Sequence, residues 1–542
     1  MSDSLFEPTP SAYAFPLLIR HLLRTPLAIN PQREIVYGTR FRYTYEDFNK
    51  RICRLAGALS ALEVVRGQTV AVMDWDSHRY LECFFAVPML GAVLHTINVR
   101  LSPEQILYTI NHAEDDVLLV HRDFLPMLAE IQAHIERPVR YVLLQDDAES
   151  GDVPGWVQGE YEALLEASRP DFEFGDFDEN TRATTFYTTG TTGLPKAVYY
   201  SHRQILLHTL ASMANTGVVS GHGQFHRDDV YMPITPMFHV HAWGQPFVAT
   251  LMGVKQVYPG RYTPEGLLSL IRDEGVTFSH CVPTILHMLL SAPQAEDTDF
   301  SNWKVIVGGS ALPRGLARRA MSLGIDIYSG YGMSETGPVL TTAHLDEAML
   351  AGDAEEQLDV RIKSGRPLPL VDLRVVDESM HDVCGDGEVV VRAPWLTQGY
   401  FKEPERSAEL WAGGYLHTGD IGHLDERGYL QVSDRLKDVI KSGGEWISSL
   451  QLEDLVSQLS GVSEVAAIGV ADETWGERPM LLIVPQAEAQ LDEAVVRAHL
   501  QKSADSGEIN AWAVPERVLF VDSIEKTSVG KLDKKLLREK YA

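Results

Sequence analysis

Cysteine is scarce in this chain of 542 residues, and its four cysteines, Cys53, Cys83, Cys281 and Cys384, lie far apart without C-x-x-C spacing. This pattern argues against a disulfide framework and against a zinc site built from cysteines. A long apolar run is also missing, because the most apolar stretch, 83–94, is shorter than the roughly 20 residues that a helix needs to cross a bilayer. The N-terminus lacks the basic and apolar regions of a signal peptide. We therefore predict a cytoplasmic protein with a buried helix at 83–94.

Positively charged residues are also few compared with negatively charged ones. The chain has 47 lysines and arginines against 75 aspartates and glutamates, a formal net charge of −28. Such a field attracts neither nucleic acid nor an anionic membrane, so the composition argues against both as partners. The hydrophobic content of 45% is normal for a globular protein with a sizeable core, and the length predicts two or three compact units.

Threonine and glycine are concentrated in one run that ends in a lysine. The run contains Thr188, Thr189, Gly190, Thr191, Thr192, Gly193 and Lys196. The residues before it favour a strand, and Ser201 with Gln204 predicts a capping box that opens a helix. Glycines let backbone N–H groups turn inward into an anion-binding nest, so the run predicts a phosphate cradle. It is not the G-x-x-x-x-G-K-[ST] loop, because Pro195 precedes the lysine and Ala197 follows it.

Strand-like and helical runs alternate through much of the chain, which predicts an α/β fold with parallel sheet. We predict strands at 68–73, 276–278, 305–307 and 325–328, a helix at 79–90, and an irregular acidic connector at 145–180. The last hundred residues read as a separate small α/β unit with helices at 449–459 and 492–502, strands at 465–470 and 480–484, and an extra polar stretch at 503–510. Glycine-rich turns follow two of the strands, at 308–311 and 329–335, and ligands bind outside such carboxyl ends. The run Gly308-Gly309-Ser310 does not fit the G-x-S-x-G elbow of a serine hydrolase.

Several of these motifs, in order and spacing, resemble those of the adenylate-forming superfamily, which includes acyl-CoA synthetases, luciferases and adenylation domains of peptide synthetases. The run 331–335, Tyr-Gly-Met-Ser-Glu, resembles the YGxTE motif, and 418–420, Thr-Gly-Asp, matches the TGD motif. The chain is most similar to bacterial AMP-forming fatty-acid–CoA ligases. The resemblance implies a large N-terminal adenylation domain at 1–434, with stacked α/β subdomains and a β-rich subdomain that begins at Glu388. A hinge at 435–438 and a small mobile C-terminal α/β domain at 439–542 would follow.

The resemblance also implies a role for each motif. Catalysis would depend on Lys531, Glu335 and Thr188, and Mg²⁺ would bind to Thr188 and Glu335. The nucleotide would contact the residues of the Thr/Gly run with Lys196, and in addition Gly309, Ser310, Ala311, Ser329, Gly330, Tyr331, Gly332, Ser334, Asp420, Arg435, Lys437 and Lys441. The acyl group would contact His239, Val240, Trp243, Gly309 and Tyr331. Coenzyme A would contact Lys441, Ser442, Gly443, Gly444 and Trp446.

The function implied is ATP-dependent activation of a carboxylic acid to acyl-AMP and then to acyl-CoA, with release of AMP and pyrophosphate. ATP, Mg²⁺ and coenzyme A would be required, a medium- or long-chain fatty acid is favoured, and relatives imply a homodimer. A short methylthio acid or an aryl acid stays open, as does a non-catalytic nucleotide-binding relative, although Lys531 and Glu335 are both present. An amino-acid adenylation domain would carry aspartate where His239 stands. The pair His239 and His241 lacks a third metal ligand nearby, so ring packing is favoured over metal binding.

Two departures from the superfamily pattern concern the loop and the pocket. Ala197 stands where many relatives have glycine, and we expect it to be tolerated. His280 and Cys281 are bulkier or more polar than the small residues common at these positions, so the depth of the acid pocket does not follow from the sequence.

Overall fold

The structure is a computed structural model that describes residues 7–146, 152–188, 194–219, 221–442, 445–472, 474–486, 489, 491–507, 509–527 and 531–542, without the side chains of residues 445 and 446. Within these ranges, no helix is long and apolar enough to cross a membrane. Most of the predicted phosphate run, 189–193, and the predicted coenzyme A residues Gly443 and Gly444 lie outside the described residues.

The strands of the described ranges follow in chain order. They are β1 (Glu34–Tyr37), β2 (Phe41–Thr44), β3 (Thr69–Met73), β4 (Val93–Thr96), β5 (Asp115–His121), β6 (Arg140–Leu144), β7 (Val157–Glu160), β8 (Arg182–Thr188), β9 (Lys196–Ser201), β10 (Val230–Pro233), β11 (Lys255–Tyr258), β12 (Phe278–Cys281), β13 (Lys304–Val307), β14 (Asp326–Gly332), β15 (Val339–Thr342), β16 (Arg366–Pro367), β17 (Asp372–Val376), β18 (Gly387–Arg392), β19 (Leu416–Leu424), β20 (Leu430–Arg435), β21 (Ile440–Ser442), β22 (Glu445–Ile447), β23 (Val462–Asp472), β24 (Gly476–Pro485) and β25 (Arg517–Phe520).

The helices are α1 (Arg24–Ile29), α2 (Tyr45–Ala61), α3 (His78–Met89), α4 (Pro103–Ala113), α5 (Leu125–Ile131), α6 (Tyr161–Glu166), α7 (His202–Gly217), α8 (Val240–Trp243), α9 (Gln245–Met252), α10 (Pro264–Glu274), α11 (Pro283–Leu290), α12 (Arg314–Ser322), α13 (Glu347–Leu350), α14 (Ala354–Arg361), α15 (Pro404–Leu410), α16 (Ser449–Ser457), α17 (Glu493–Asp505) and α18 (Lys534–Tyr541). Of these, α8 is a single left-handed turn, because its four residues all have positive φ.

Two large sheets carry most of the chain up to residue 367. One has the order β7-β6-β5-β3-β4-β8-β9 and the other β16-β15-β14-β13-β12-β10-β11-β1-β2. Their inner strands are parallel, and β3 and β5 are buried along their whole length, as parallel strands covered on both faces are. The loops that follow β8, β10, β12 and β13 leave from the carboxyl ends of these strands, where ligands of α/β proteins bind.

Two smaller sheets follow. Strands β17-β18-β19-β20 form an antiparallel sheet, and β21 to β25 form a sheet in the last hundred residues, packed with α16, α17 and α18. The predicted α/β class, with a large multi-sheet N-terminal domain and a small C-terminal domain, is therefore confirmed. The exact hinge at 435–438 stays a prediction, at the end of β20.

Four element predictions need correction. The stretch 145–180 is not wholly irregular, because it contains β7 and α6. The strand predicted at 276–278 is β12 at 278–281, since Gly275 with φ of +67° ends the preceding helix and 276–277 form the turn. The β-rich sheet begins at Asp372, before Glu388. The buried helix predicted at 83–94 is the end of α3, which stops at Met89, and Val93 and Leu94 already belong to β4.

Candidate active site

The base of the predicted phosphate loop is an antiparallel hairpin. Thr188 at the end of β8 lies directly opposite Lys196 at the start of β9, so the two described ends of the run are held side by side. The Lys196 Nζ atom lies 4.6 Å from the centre of the Tyr400 ring, a cation–π contact that fixes the position of the ammonium. The predicted capping box is confirmed: the N–H of Ser201 donates to Gln204 Oε1 at 2.8 Å, and the N–H of Gln204 donates to Ser201 Oγ at 3.3 Å.

Glu335 is held beside this hairpin. Its side chain is buried, and its Oε1 accepts a hydrogen bond from the Tyr400 hydroxyl at 2.7 Å. Tyr400 therefore connects the Lys196 ammonium to the Glu335 carboxylate. The backbone is held as well, because the N–H of Thr397 donates to the Glu335 carbonyl at 3.1 Å. The second carboxylate oxygen and the Thr188 hydroxyl are of the hard oxygen type that Mg²⁺ accepts.

Asp420, Tyr331 and Arg435 form a second cluster. Asp420 is buried, its Oδ2 accepts from the Tyr331 hydroxyl at 2.7 Å, and its Oδ1 lies 3.0 Å from Arg435 Nε. The ion pair joins neighbouring residues of β19 and β20, which are aligned in register. The three predicted nucleotide contacts are thus in one place, and the aspartate fixes both the tyrosine and the arginine.

The glycines of the two turns are required by close backbone approach. A Cβ atom on Gly308 would lie 2.6 Å from the Gly330 carbonyl oxygen, and one on Gly332 would lie 1.8 Å from the Pro338 carbonyl oxygen. The end of β13 therefore packs on β14, and the end of β14 packs on the residue before β15, with no room for side chains at either place. Ser329, on the same strand, has a buried hydroxyl with no hydrogen-bond partner among the described residues, which leaves it available to a ligand. Ser310 and Ala311 are exposed at the end of β13, and Ser334 accepts at its carbonyl from the Tyr200 hydroxyl.

Lys531 reaches this site from the small domain. Its Cε atom lies 3.4 Å, and its Nζ atom 3.9 Å, from the position that a Cβ on Gly309 would take. Burial, and then the charge of the Arg435 guanidinium, lower the pKa of Lys531 to about 8, against the opposing effect of the Asp420 and Glu335 carboxylates. The lysine ammonium is thus within electrostatic reach of both clusters.

The predicted acid side of the site begins at His239. Burial, and then the charges of Lys531 and Arg100, lower the pKa of His239 to about 3, so the ring is neutral at pH 7. From Val240 to Trp243 the chain makes the left-handed turn α8, with φ between 47° and 58°. Left-handed backbone costs roughly 1–2 kcal/mol per residue, and strain of this kind concentrates at functional sites. The turn aims Trp243 at the end of β13, where a Cβ on Gly308 would lie 3.2 Å from its ring.

His241 packs in the core, as predicted. Its ring lies 5.4 Å from the ring of Phe84 and 5.3 Å from that of Phe186, centre to centre. In the part of the chain that the structure describes, no group of three or more His, Cys, Asp or Glu residues could hold a metal ion.

The predicted hinge follows β20, and the described coenzyme A residues lie in the short strands β21 and β22. Burial lowers the pKa of Lys437. Lys441 is exposed and pairs in β21–β22 with Trp446, whose side chain is outside the description, while Ser442 is buried. Gly443 and Gly444 lie outside the described residues, so the structure brings together the nucleotide and acid residues more fully than the coenzyme A residues.

Sequence reasoning missed one buried acid that holds the His239 loop. Asp76 Oδ1 accepts from the N–H of Met237 at 2.8 Å, and Asp76 Oδ2 accepts from the Tyr262 hydroxyl. Burial raises the pKa of Asp76 to about 7, although these two hydrogen bonds and the charge of Arg100 lower it. The sequence signal was weak, because a lone aspartate after a strand is more often a surface residue. Tyr400, which holds Glu335, also carried no motif.

A cavity adjoins His239. Its walls include Ile234, Val282 and Ile285, with Thr235, Tyr262 and Arg100 as polar members, and it encloses about 370 Å³ of space, part of it open to solvent. The apolar walls suit a small-molecule tail.

Comparison with known proteins agrees with the motifs. The chain matches the model described as AMP-binding enzyme over residues 23–401 and that described as AMP-binding enzyme C-terminal domain over 451–531. It is 41% identical over 514 residues to a long-chain-fatty-acid–CoA ligase of Thermus thermophilus, covering 93% of this chain and 91% of the relative. It is 38% identical over 540 residues to a 3-methylmercaptopropionyl-CoA ligase of Ruegeria lacuscaerulensis, covering 97% of both. The crystal structure of the anthranilate CoA ligase AuaEII in complex with anthranoyl-AMP matches with a TM-score of 0.85 at 22% identity, over 97% of this chain and 98% of that chain, and supports the fold. The chain therefore belongs to the AMP-binding enzyme family, within the adenylate-forming superfamily that its motifs resemble.

Proposed function

We propose that this protein is an AMP-forming acid–CoA ligase, which uses ATP to convert a carboxylic acid to acyl-AMP and then transfers the acyl group to coenzyme A. The observation that carries the proposal is the approach of Lys531, from the small domain, to Gly309 in the large domain, within reach of Asp420 and Glu335. A cation from one domain thus meets the nucleotide motifs of the other. The family match over both domains and the two CoA ligase relatives support the proposal.

In the first half-reaction, an oxygen of the acid's carboxylate attacks the α-phosphorus of ATP. A P–O bond to the acyl group forms, and the bond to the β-phosphate breaks, so pyrophosphate leaves. Two anions must meet, and catalysis is therefore mainly positioning and charge neutralisation. With a pKa of about 8, Lys531 is mostly protonated at neutral pH and brings its charge to both anions. Such a contact is worth about 3–4 kcal/mol, the size of one oxyanion-hole donor.

Mg²⁺ is part of the proposal. Glu335 and the Thr188 hydroxyl would hold it, with the other ligands supplied by phosphate oxygens and water, since the described residues contain no group of three or more His, Cys, Asp or Glu side chains that could hold a metal. Bound there, Mg²⁺ would neutralise negative charge on the phosphates of ATP. The chain's own contribution is to fix Glu335 through the Tyr400 hydroxyl.

In the second half-reaction, the small domain would rotate about Lys437 and bring the turn after Lys441 to the site. The thiol sulfur of coenzyme A would attack the acyl carbonyl, and AMP would leave. Rotation requires contacts between the domains that can break. One such contact is the Arg314 N–H donating to Asp454 Oδ1 at 3.1 Å, and Lys531 itself must withdraw. This is a hinge switch between two poses.

The acid proposed is a medium- or long-chain fatty acid, supported by the apolar Val240, Trp243 and Val282 and by the Thermus relative. A short methylthio acid is the second candidate, supported by the Ruegeria relative, and an aryl acid is the third. The homodimer and the cytoplasmic location remain predictions.

Incubation with ATP, Mg²⁺, coenzyme A and a panel of carboxylic acids tests the proposal. We expect AMP, pyrophosphate and one acyl-CoA product in equal amounts, and pyrophosphate exchange into ATP that depends on the acid. Release of ADP, or nucleotide binding without exchange for any acid, would contradict the proposal and favour a non-catalytic nucleotide-binding relative.

A further inference from the structure

His280 is a fully buried polar residue that no part of the proposed reaction uses. It is the third residue of β12, where alternate side chains face opposite sides of the sheet. Cys281 faces one core cluster, whereas His280 faces the side of Trp243 and Tyr231. The Trp243 ring lies over it at 5.0 Å between centres, tilted by 34°. The histidine therefore stands directly behind the tryptophan of the predicted acid site.

The His280 ring is fixed at both nitrogens. Its Nε2 atom is 2.9 Å from the Tyr231 hydroxyl, and its Nδ1 atom is 3.2 Å from the Thr235 hydroxyl. A neutral imidazole donates at one nitrogen and accepts at the other, so both contacts are satisfied at once. Rotation of the ring would leave buried polar groups unpaired, which is costly. Unlike a side chain in an apolar surrounding, this ring cannot swing aside for a ligand.

A line of contacts joins His280 to the reaction centre. Lys531 lies against Gly309, Gly308 is next in the chain, and Trp243 packs on Gly308. The cavity beside His239 adjoins both ends of this line, because its walls include Val282, whose Cγ1 atom lies 3.2 Å from the position of a Cβ on Gly309, and Thr235, whose hydroxyl contacts His280. The rings of Phe225 and Phe278 stack at 4.1 Å in the same buried cluster as Trp243.

We infer that His280 forms the end wall of the acid pocket and makes the enzyme selective for short- and medium-chain acids, including short thioether acids, over long-chain fatty acids. This inference rests on the proposed function and chooses, among the acids proposed there, the medium-chain fatty acid and the short methylthio acid over the long-chain fatty acid. Displacement of Trp243 alone does not lengthen the pocket, since the ring behind it is pinned.

The test is acid-dependent pyrophosphate exchange for straight-chain acids from butanoate to palmitate. For the wild type we expect kcat/KM to fall steeply beyond medium length. His280→Ala removes the wall, so longer acids should gain about tenfold or more in kcat/KM, the size of a one-methylene effect in a tight pocket, while butanoate changes little. His280→Gln keeps the bulk and two hydrogen-bonding groups, and it should keep the wild-type profile.

His202→Ala is the matched control. His202 is also fully buried, and burial also lowers its pKa to about 3, but it packs at the start of α7 against the N-terminal segment. This variant should lose stability without a shift in the chain-length profile. Equal kcat/KM of the wild type for octanoate and palmitate, a measurement that needs no variant, would overturn the inference while the proposed function stands. An unchanged chain-length profile in a folded His280→Ala protein would also overturn the inference. If no acid supports pyrophosphate exchange in the wild type, the proposed function and this inference both fail.

Discussion

The Cε atom of Lys531 lies 3.4 Å from the point at which a Cβ on Gly309 would stand, so a methyl group added to the large domain there would touch the lysine of the small domain. Gly309 also has φ of +81°, in the left-handed region that favours glycine. The docked position of the small domain thus depends on a residue without a side chain.

Gly309→Ala is predicted to slow adenylation. The added Cβ would meet Val282 Cγ1 at 3.2 Å and Lys531 Cε at 3.4 Å, and displacement of a catalytic group by about 1 Å costs roughly 10²-fold. Pyrophosphate exchange measures this step. Gly315→Ala is the matched control, because a Cβ there meets no atom within 4 Å. Equal exchange rates in the two variants would show that docking does not depend on the space at Gly309.

Adenylation is predicted to weaken on the alkaline side. The pKa of Lys531 is lowered to about 8, so the free enzyme loses the ammonium as the pH rises through that value. The pH profile of kcat/KM for pyrophosphate exchange reports this group in the free enzyme. Lys531→Arg keeps its charge at all these pH values, so its profile should lack the alkaline limb at any activity that remains. The same limb in both proteins would assign it to another group.

Stability is predicted to fall in acid partly because of buried histidines. Burial lowers the pKa of His202 from its ordinary value of 6.5 to about 3, so below pH 6.5 the unfolded chain binds a proton that the folded chain does not bind, and the free energy of unfolding decreases as the pH falls. His202→Gln keeps an acceptor for the Ile19 N–H but cannot titrate. Between about pH 6 and about pH 4, urea unfolding should show the wild type losing about 1.4 kcal/mol per pH unit relative to the variant. If the difference in the free energy of unfolding between the wild type and His202→Gln stays constant over this pH range, the lowered pKa of His202 is wrong.

The features that the sequence could predict were either local ones or residues within a short motif. The capping box of Ser201 and Gln204 needs only residues three apart, and the Asp420, Arg435 and Lys531 assignments came from short motifs whose family is confirmed. The roles of these residues remain predictions, although the structure brings them together. Tyr400 was missed because its contact with Glu335 joins residues 65 apart in the chain.

The acid pocket could not be predicted for a similar reason. The sequence showed that His280 is unusual for its position, but the two hydrogen bonds that pin its ring come from Tyr231 and Thr235, which lie 49 and 45 residues away. The positive φ of the turn at Val240 likewise has no signal in a stretch of valine, histidine, alanine and tryptophan, since such residues rarely adopt it.

The most direct test of the account separates the two half-reactions in Lys531→Ala. Pyrophosphate exchange should fall by about 10²–10³-fold, the loss expected for one transition-state charge contact, while thioester formation from supplied acyl-AMP and coenzyme A should stay within a few-fold of the wild type. Equal losses in both half-reactions would contradict the claim that this lysine serves adenylation and then withdraws.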